Sequence, residues 1–213
     1  MKIKLSNAGK RFNREWIFRY ANLEFISGSG YAITGHNGSG KSTLLQCLGG
    51  MLQVSEGSIE HFRDNKILPP EETYISTSFC APYLDVIEEM TLVEFLEFHN
   101  MFKAFIESCS IQDIIERIGL KGSGHKQIRY YSSGMKQRVK LAQAIFFDTP
   151  IVLLDEPCSN LDTKGIELYH SLVEEHCSNR LVVVCSNDPV EYSFCQQVIA
   201  ITDHKLPLHQ ITM

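Results

Sequence analysis

The sequence predicts an α/β fold: a parallel sheet covered by helices, with antiparallel strands before it and a helical insert within it. Three observations predict this. Residues 151–154 (Ile-Val-Leu-Leu) and 181–185 (Leu-Val-Val-Val-Cys) are apolar on both faces, as strands buried between helices must be. They alternate with longer segments whose apolar residues recur at helical spacing. Between roughly 82 and 147 that alternation stops, and helix-start signals replace it.

Taken in order, residues 2–6, 16–18 and 23–26 alternate apolar and polar side chains, as paired strands do. A strand at 31–34 runs into a glycine-rich loop and an apolar helix at 42–48. Residues 58–62 and 73–76 read as further strands. Thr91-Leu92-Val93-Glu94 is a capping box that opens a helix to about Met101. Ser110-Ile111-Gln112-Asp113 opens a second, ending near Gly119, and a third follows Ser132 to about Phe147. Strand 151–154, helix 163–177, strand 181–185, helix 190–195 and strand 198–201 complete the pattern. One domain over 1–213 is expected, with 1–81 and 148–213 as core and β portion and 82–147 as a helical subdomain. There is no internal repeat and no low-complexity linker.

The composition agrees with a globular chain: 213 residues, 44% of them hydrophobic. A net charge of −5 offers neither nucleic acid nor an anionic membrane surface a basic face, so no nucleic-acid partner is expected. The 7 cysteines are scattered without a C-x-x-C pair, which reads as reduced thiols in a cytosolic protein. The opening residues carry no apolar run suited to a signal peptide, and no stretch approaches the ~20 apolar residues a bilayer crossing needs.

Chemistry enters at Gly35-His36-Asn37-Gly38-Ser39-Gly40-Lys41-Ser42, followed by Thr43. It fits the phosphate-loop pattern, G-x-x-x-x-G-K-[ST], between a strand and a helix. The glycines let backbone N–H groups turn inward on phosphates, and the helix start adds partial positive charge. Lys41 is expected to reach the β and γ phosphates of ATP, and Ser42 to ligate Mg²⁺. His36 reads as a spacer with an exposed ring. The fold expected is therefore a P-loop NTPase with a RecA-like core, an antiparallel β subdomain and an inserted α-helical subdomain. The strand 151–154 ends in Asp155-Glu156-Pro157. Such a strand delivers Asp155 to the sheet edge as a second Mg²⁺ ligand, and Glu156 is placed to polarise an attacking water.

Tyr131-Ser132-Ser133-Gly134-Met135-Lys136-Gln137-Arg138 precedes those acids at a fixed distance. It resembles the signature motif of ABC ATPases, and the resemblance spans nearly the whole chain. It implies that Ser132, Ser133, Gly134 and Met135 receive the γ-phosphate held by a second subunit. Ser159-Asn160-Leu161-Asp162 resembles the family's D-loop, which crosses that dimer interface. Phe12 stands where the family places an aromatic against adenine, with Trp16 the alternative. The short form looks most like heme-exporter-type and drug-exporter-type ATP-binding subunits. It leaves no room for an appended membrane domain, so the implied partners are a separate transmembrane permease and a second cassette. The implied location is cytoplasmic, on the inner face of the membrane through the permease.

Two positions depart from the family. No glutamine occurs between Gln53 and Gln112, where the family has one near Mg²⁺; Ser78 or a close neighbour stands there instead. After residues 181–185 the family has a histidine at the γ-phosphate, and here Asn187 takes its place. Asparagine donates a hydrogen bond but carries no proton or charge. The expectation is a slow ATPase. The rival readings are a non-transport ABC ATPase, such as an assembly ATPase, and a module that senses ATP without hydrolysing it.

Overall fold

The structure is a computed structural model that describes residues 1–205; the last part of the expected 1–213 domain, 206–213, lies outside the described residues. Two strands open the chain, β1 (Lys2–Phe12) and β2 (Glu15–Ile26). They pair antiparallel around a turn at Asn13, whose φ of 52° suits a short polar side chain. Both are longer than their apolar alternation indicates. Register shifts past Leu5 and Ala8 break the alternation while the pairing continues.

The core strand β3 (Gly30–Thr34) leads into α1 (Lys41–Leu48). Then come β4 (Glu56–Arg63), β5 (Lys66–Ile67), α2 (Pro70–Ile75) and β6 (Thr77–Cys80). Residues 73–76, expected as a strand, belong to the end of α2 and the turn after it. Pro70 at the helix start and Glu71 and Glu72 in the first turn favour helix there. The strand begins only at Thr77.

In the middle region α3 (Leu92–Asn100) and α4 (Ile111–Arg117) both start with the expected capping boxes, Thr91 with Glu94 and Ser110 with Asp113. The third helix, α5 (Ser133–Phe146), is capped by Ser132. The chain closes with β7 (Ile151–Asp155), α6 (Thr163–Cys177), β8 (Leu181–Cys185) and β9 (Gln197–Ala200). Residues 190–195 form turns, not the expected helix. The Glu191 carbonyl that a helix would offer to Cys195 N–H accepts the Tyr169 hydroxyl at 2.8 Å, and Cys195 N–H goes to Tyr192 instead.

The strands make two sheets, β2-β1-β4-β5 and the parallel β6-β7-β8-β3-β9. Strands β7 and β8 divide their side chains between two cores by the pleat. Val152, Leu154, Val182 and Val184 face the core built with α3 to α6, while Ile151, Leu153, Leu181 and Val183 face α1 and the antiparallel sheet. That is why both runs are apolar throughout. Parallel pairing brings the C-terminal ends of β3, β7 and β8 to one edge, with Asp155 opposite Cys185.

Arg180 closes the other edge. Its guanidinium donates to the carbonyls of Ile145, Phe147 and Thr149 at 2.6, 2.9 and 2.5 Å and to the Thr149 hydroxyl at 2.7 Å. These include carbonyls at the end of α5 that the helix cannot satisfy itself. Arg180→Leu is expected to cost about 3 kcal/mol of folding free energy, because several acceptors lose a charged donor together. Urea denaturation checks this, and a loss under about 0.5 kcal/mol would contradict it.

Candidate functional site

Leaving β3, the chain turns through residues 35–40 before α1 begins. Gly35, Gly38 and Gly40 hold φ values of 147°, 75° and 105°, which side-chain-bearing residues rarely adopt. Ser39 N–H donates to His36 O at 3.0 Å and closes the turn. Helix α1 starts at Gly40 with no capping side chain and no acid in its first turn. Its free N–H groups and partial positive end therefore face the concavity. Lys41 is buried, and its ammonium donates to Gly35 O at 2.7 Å and His36 O at 3.4 Å. His36 is exposed.

Strand β7 is wholly buried and ends at Asp155, both of whose carboxyl oxygens are buried without a hydrogen-bond partner. Burial pushes this carboxyl above its ordinary value and Glu156 adds to the push; the Ser42 hydroxyl, Lys41 and the Tyr83 hydroxyl act against it. An unpaired buried carboxylate beside a serine hydroxyl is a donor set suited to a hard divalent cation such as Mg²⁺. Without the cation the raised pKa is a stability penalty, full above the folded-state value and fading as pH falls through it. Asp155→Asn is therefore expected to raise the melting temperature of the nucleotide-free protein near neutral pH and to abolish the further rise that Mg-ATP produces. Calorimetry with and without Mg-ATP reads both; a variant still stabilised by Mg-ATP as wild type is would contradict it.

Glu156 occupies φ 43°, unusual for a residue with a side chain, and its N–H donates to Cys185 O at 2.9 Å. It lines a cavity of about 190 Å³ together with Asn37, Gly38, Gly40, Lys41, Ser42 and Thr43. Two larger cavities, of about 470 and 520 Å³, lie under the end of α6 and beside the end of α1, away from these groups. Asn187, just past β8, reaches the phosphate loop from above. Its Oδ1 accepts Gly35 N–H at 3.3 Å and its Nδ2 donates to Asn37 Oδ1 at 2.9 Å.

The two aromatics near the β1–β2 turn are placed differently. Trp16 lies under Arg19, 4.3 Å from guanidinium to ring, and against Gly9, where even a Cβ would come within 2.9 Å of it. Phe12 remains exposed, with only the Lys10 ammonium over its ring at 5.2 Å. Of the two, Phe12 has the free face.

Ser132 and Ser133 are exposed at the start of α5, and Ser132 Oγ accepts Met135 N–H at 3.2 Å. None of residues 132–135 lines the cavity at the phosphate loop. Helix α5 is instead tied to the turns after β7. A Cβ on Gly134 would sit 2.9 Å from Asn160 O, so the two backbones touch. Gln137 Nε2 donates to Pro157 O at 2.7 Å, and Arg138 pairs with Asp162 at 3.5 Å. In the turn after the acids, Ser159 N–H donates to Glu156 O and Leu161 N–H to Cys158 O. Asp162 caps α6 through Gly165 N–H at 2.8 Å.

Ser78 is not at the site. It is buried inside β6, donating to Ala144 O at 2.6 Å. The side chain that comes near Asp155 from the following loop, without hydrogen-bonding to it, is Tyr83. Its hydroxyl accepts Gln46 Nε2 at 2.9 Å, and burial, with the nearby Asp155, pushes its pKa up to about 12. Gln46 lies one turn beyond Ser42 on α1, so the two share a face. Lys140 of α5 holds the same loop by Pro82 O at 2.7 Å. The sequence left the choice between Ser78 and a close neighbour open and did not single out Tyr83. The register Cys80↔Leu154 shows that whatever follows Cys80 passes beside Asp155.

A family profile described as ABC transporter matches residues 18–159. The chain is 31% identical over 192 residues to an uncharacterised ABC transporter ATP-binding protein, YybJ, of Bacillus subtilis, covering 87% of this chain and 85% of that one. It is 28% identical over 200 residues to the cytochrome c biogenesis ATP-binding export protein CcmA of Haemophilus influenzae, covering 92% and 94%. Among solved structures, the dimeric ATP-binding cassette MJ0796, in a post-hydrolysis state with ADP and Pi, superposes with a TM-score of 0.78 at 26% identity, covering 96% of each chain. An ATP-binding subunit of an ABC transporter superposes at 0.83 with 19% identity, covering 94% of this chain and 85% of that one.

Proposed function

The chain belongs to the ABC transporter ATP-binding family, and on that premise we propose that it is a slow ATP-hydrolysing motor, closing as a head-to-tail dimer to drive a separate membrane permease. The observation that carries this is the convergence of Lys41, Ser42 and Glu156 on one cavity at the start of α1, with Asp155 beside it. In the reading proposed, residues 82–147 form the helical subdomain, between the two core segments 1–81 and 148–213.

The phosphates of ATP take the place of the Gly35 and His36 carbonyls as partners of the Lys41 ammonium. The N–H groups of residues 38–43 surround them, and Phe12 offers a face to the adenine. Ser42 and Asp155 hold Mg²⁺, which when bound neutralises charge developing on the phosphate oxygens. Glu156 accepts a proton from the attacking water. Asn187 orients the phosphate loop and offers an uncharged donor to the outermost phosphate, where a histidine could offer a charged one.

Ser132 to Met135 do not line their own chain's cavity, and in this reading a second protomer's nucleotide completes their partial positive site. Residues 159–162 lie between the two. The exposed side chains Met101, Phe102 and Tyr74 supply apolar surface for a permease segment, with the Lys103 ammonium over the Tyr74 ring at 4.1 Å as a charged point beside it. Among the described residues no helix is long and apolar enough to cross a membrane. That surface supports, in the reading proposed, attachment to the inner face of the membrane through a permease.

Losing one charge-assisted hydrogen bond costs about 1.5–3 kcal/mol, roughly ten- to a hundredfold in rate. Asn187→His is accordingly expected to raise turnover about tenfold. Phosphate release by the purified chain in Mg-ATP tests the whole reading. No release would leave a module that senses ATP without hydrolysing it, and co-purification of a membrane subunit separates transport from a non-transport ATPase of the family.

A further inference from the structure

Among the described residues four buried side-chain oxygens lack a hydrogen-bond partner: the Ser39 hydroxyl, both oxygens of Asp155, and Oε2 of Glu191. Three belong to the phosphate site. The fourth belongs to a segment for which no motif supplies a task.

Glu191 is only 6% exposed. Its Oε1 accepts the N–H of Cys158 at 2.9 Å. The Ser186 hydroxyl, whose oxygen accepts Asp188 N–H at 2.9 Å, approaches the same carboxyl. The residue itself is fixed at both ends of its peptide: its N–H donates to Asp188 O at 3.0 Å and its carbonyl accepts the buried Tyr169 hydroxyl at 2.8 Å. One side chain thus spans the two loops that leave the C-terminal ends of β7 and β8. The first carries Glu156, the second Asn187.

The bond at Cys158 falls two residues beyond Glu156, which holds a backbone conformation that ordinary residues avoid. Other bonds hold that turn at Glu156 N–H to Cys185 O, Ser159 N–H to Glu156 O, Leu161 N–H to Cys158 O and Gln137 Nε2 to Pro157 O, but none of them engages the Cys158 N–H. As mere filling, an apolar side chain would serve better, since a buried carboxyl with a free oxygen costs free energy. We propose that Glu191 is a positioning residue: by holding Cys158 N–H it sets the Glu156 carboxylate against the phosphate loop and in register with Asn187. This rests on the hydrolytic reading above.

The test is ATP turnover of the purified chain at varied Mg-ATP, beside nucleotide affinity and melting temperature. Glu191→Ala is expected to lower kcat about tenfold or more while KM moves by less than about threefold, because misplacing a reacting group acts on the chemical step. Glu191→Gln keeps an oxygen for Cys158 N–H and should recover kcat to within about threefold of wild type. In the Glu156→Gln background, Glu191→Ala should lower the residual rate no further, since nothing is left for it to position. If the alanine variant does not fold, Glu191→Asp, one methylene shorter, takes its place with the same expectations. An unchanged kcat, a glutamine variant no better than alanine, or losses that multiply in the double variant would each overturn the proposal. Wild-type protein whose turnover does not depend on Glu156 would be a different failure, overturning the hydrolytic reading and this one with it.

Discussion

Glu156→Gln is expected to cut ATP turnover about a thousandfold while ATP still binds. Removing a general base costs roughly 10²- to 10⁴-fold, and glutamine preserves the shape of the side chain while losing its proton affinity. Nothing in the phosphate grip depends on that carboxylate. Lys41 is held by the loop carbonyls, the α1 N–H groups are free, and Asp155 and Ser42 form a separate donor pair. The variant should therefore accumulate in the nucleotide-closed dimer and elute at twice its monomer mass in Mg-ATP, returning to monomer when nucleotide is removed. Wild-type protein should show that dimer only transiently. A variant that keeps more than about a tenth of wild-type turnover, or stays monomeric at saturating Mg-ATP, would remove Glu156 from the role.

Gly40→Ala is expected to weaken ATP binding about a hundredfold or more, although it adds a single methyl group. At φ 105° an alanine is strained by about 1–3 kcal/mol. Its Cβ would also stand 2.2 Å from Ile17 Cγ2 and 3.5 Å from Ile201 Cδ1, so either β2 or the phosphate loop must move. Moving the loop spoils the N–H cradle, and that geometry is what holds the phosphates. Gly38 makes the control. Its φ of 75° carries the left-handed cost of about 1–2 kcal/mol, but a Cβ there meets nothing within 4 Å. Fluorescent-nucleotide titration should rank wild type first, then Gly38→Ala, then Gly40→Ala. Ile17→Ala added to Gly40→Ala should recover part of the loss. A Gly40→Ala variant that binds as tightly as Gly38→Ala would contradict the packing argument.

Legibility followed the range of the interactions. The helix starts at Thr91, Ser110 and Ser132 were readable because a cap and its partner lie within three residues. Buried strands were readable from their unbroken apolar runs, and strand 181–185 appears with those limits. Residues 73–76 and 190–195 were not. The first sits between proline-led helix and strand with an apolar pattern that fits both, and the second is held as turns, with Glu191 tied to Tyr169, 22 residues away. The missing glutamine left its replacement open between Ser78 and a close neighbour, because no local pattern tells them apart. Ser78 donates to Ala144 O inside the sheet, while the Tyr83 hydroxyl comes near Asp155.

What this sequence determined unaided is the parts and their chemistry. The phosphate loop, the paired acids and the serine-capped helix each depend on contiguous residues, whose backbone preferences and functional groups are properties of a short stretch of chain. Tertiary structure alone decided how those parts meet. Parallel pairing of β3, β7 and β8 sets Asp155 and Asn187 at the same sheet edge as Lys41. Packing against Gly9 and Arg19 occupies Trp16 and leaves Phe12 with the free face. Glu191 at Cys158 and Gln137 at Pro157 clasp the loop behind the acids. The contacts of Glu191 and Gln137 join residues 20 or more positions apart, and a chain pattern with a period of two or four residues carries no record of which distant neighbour each side chain will find.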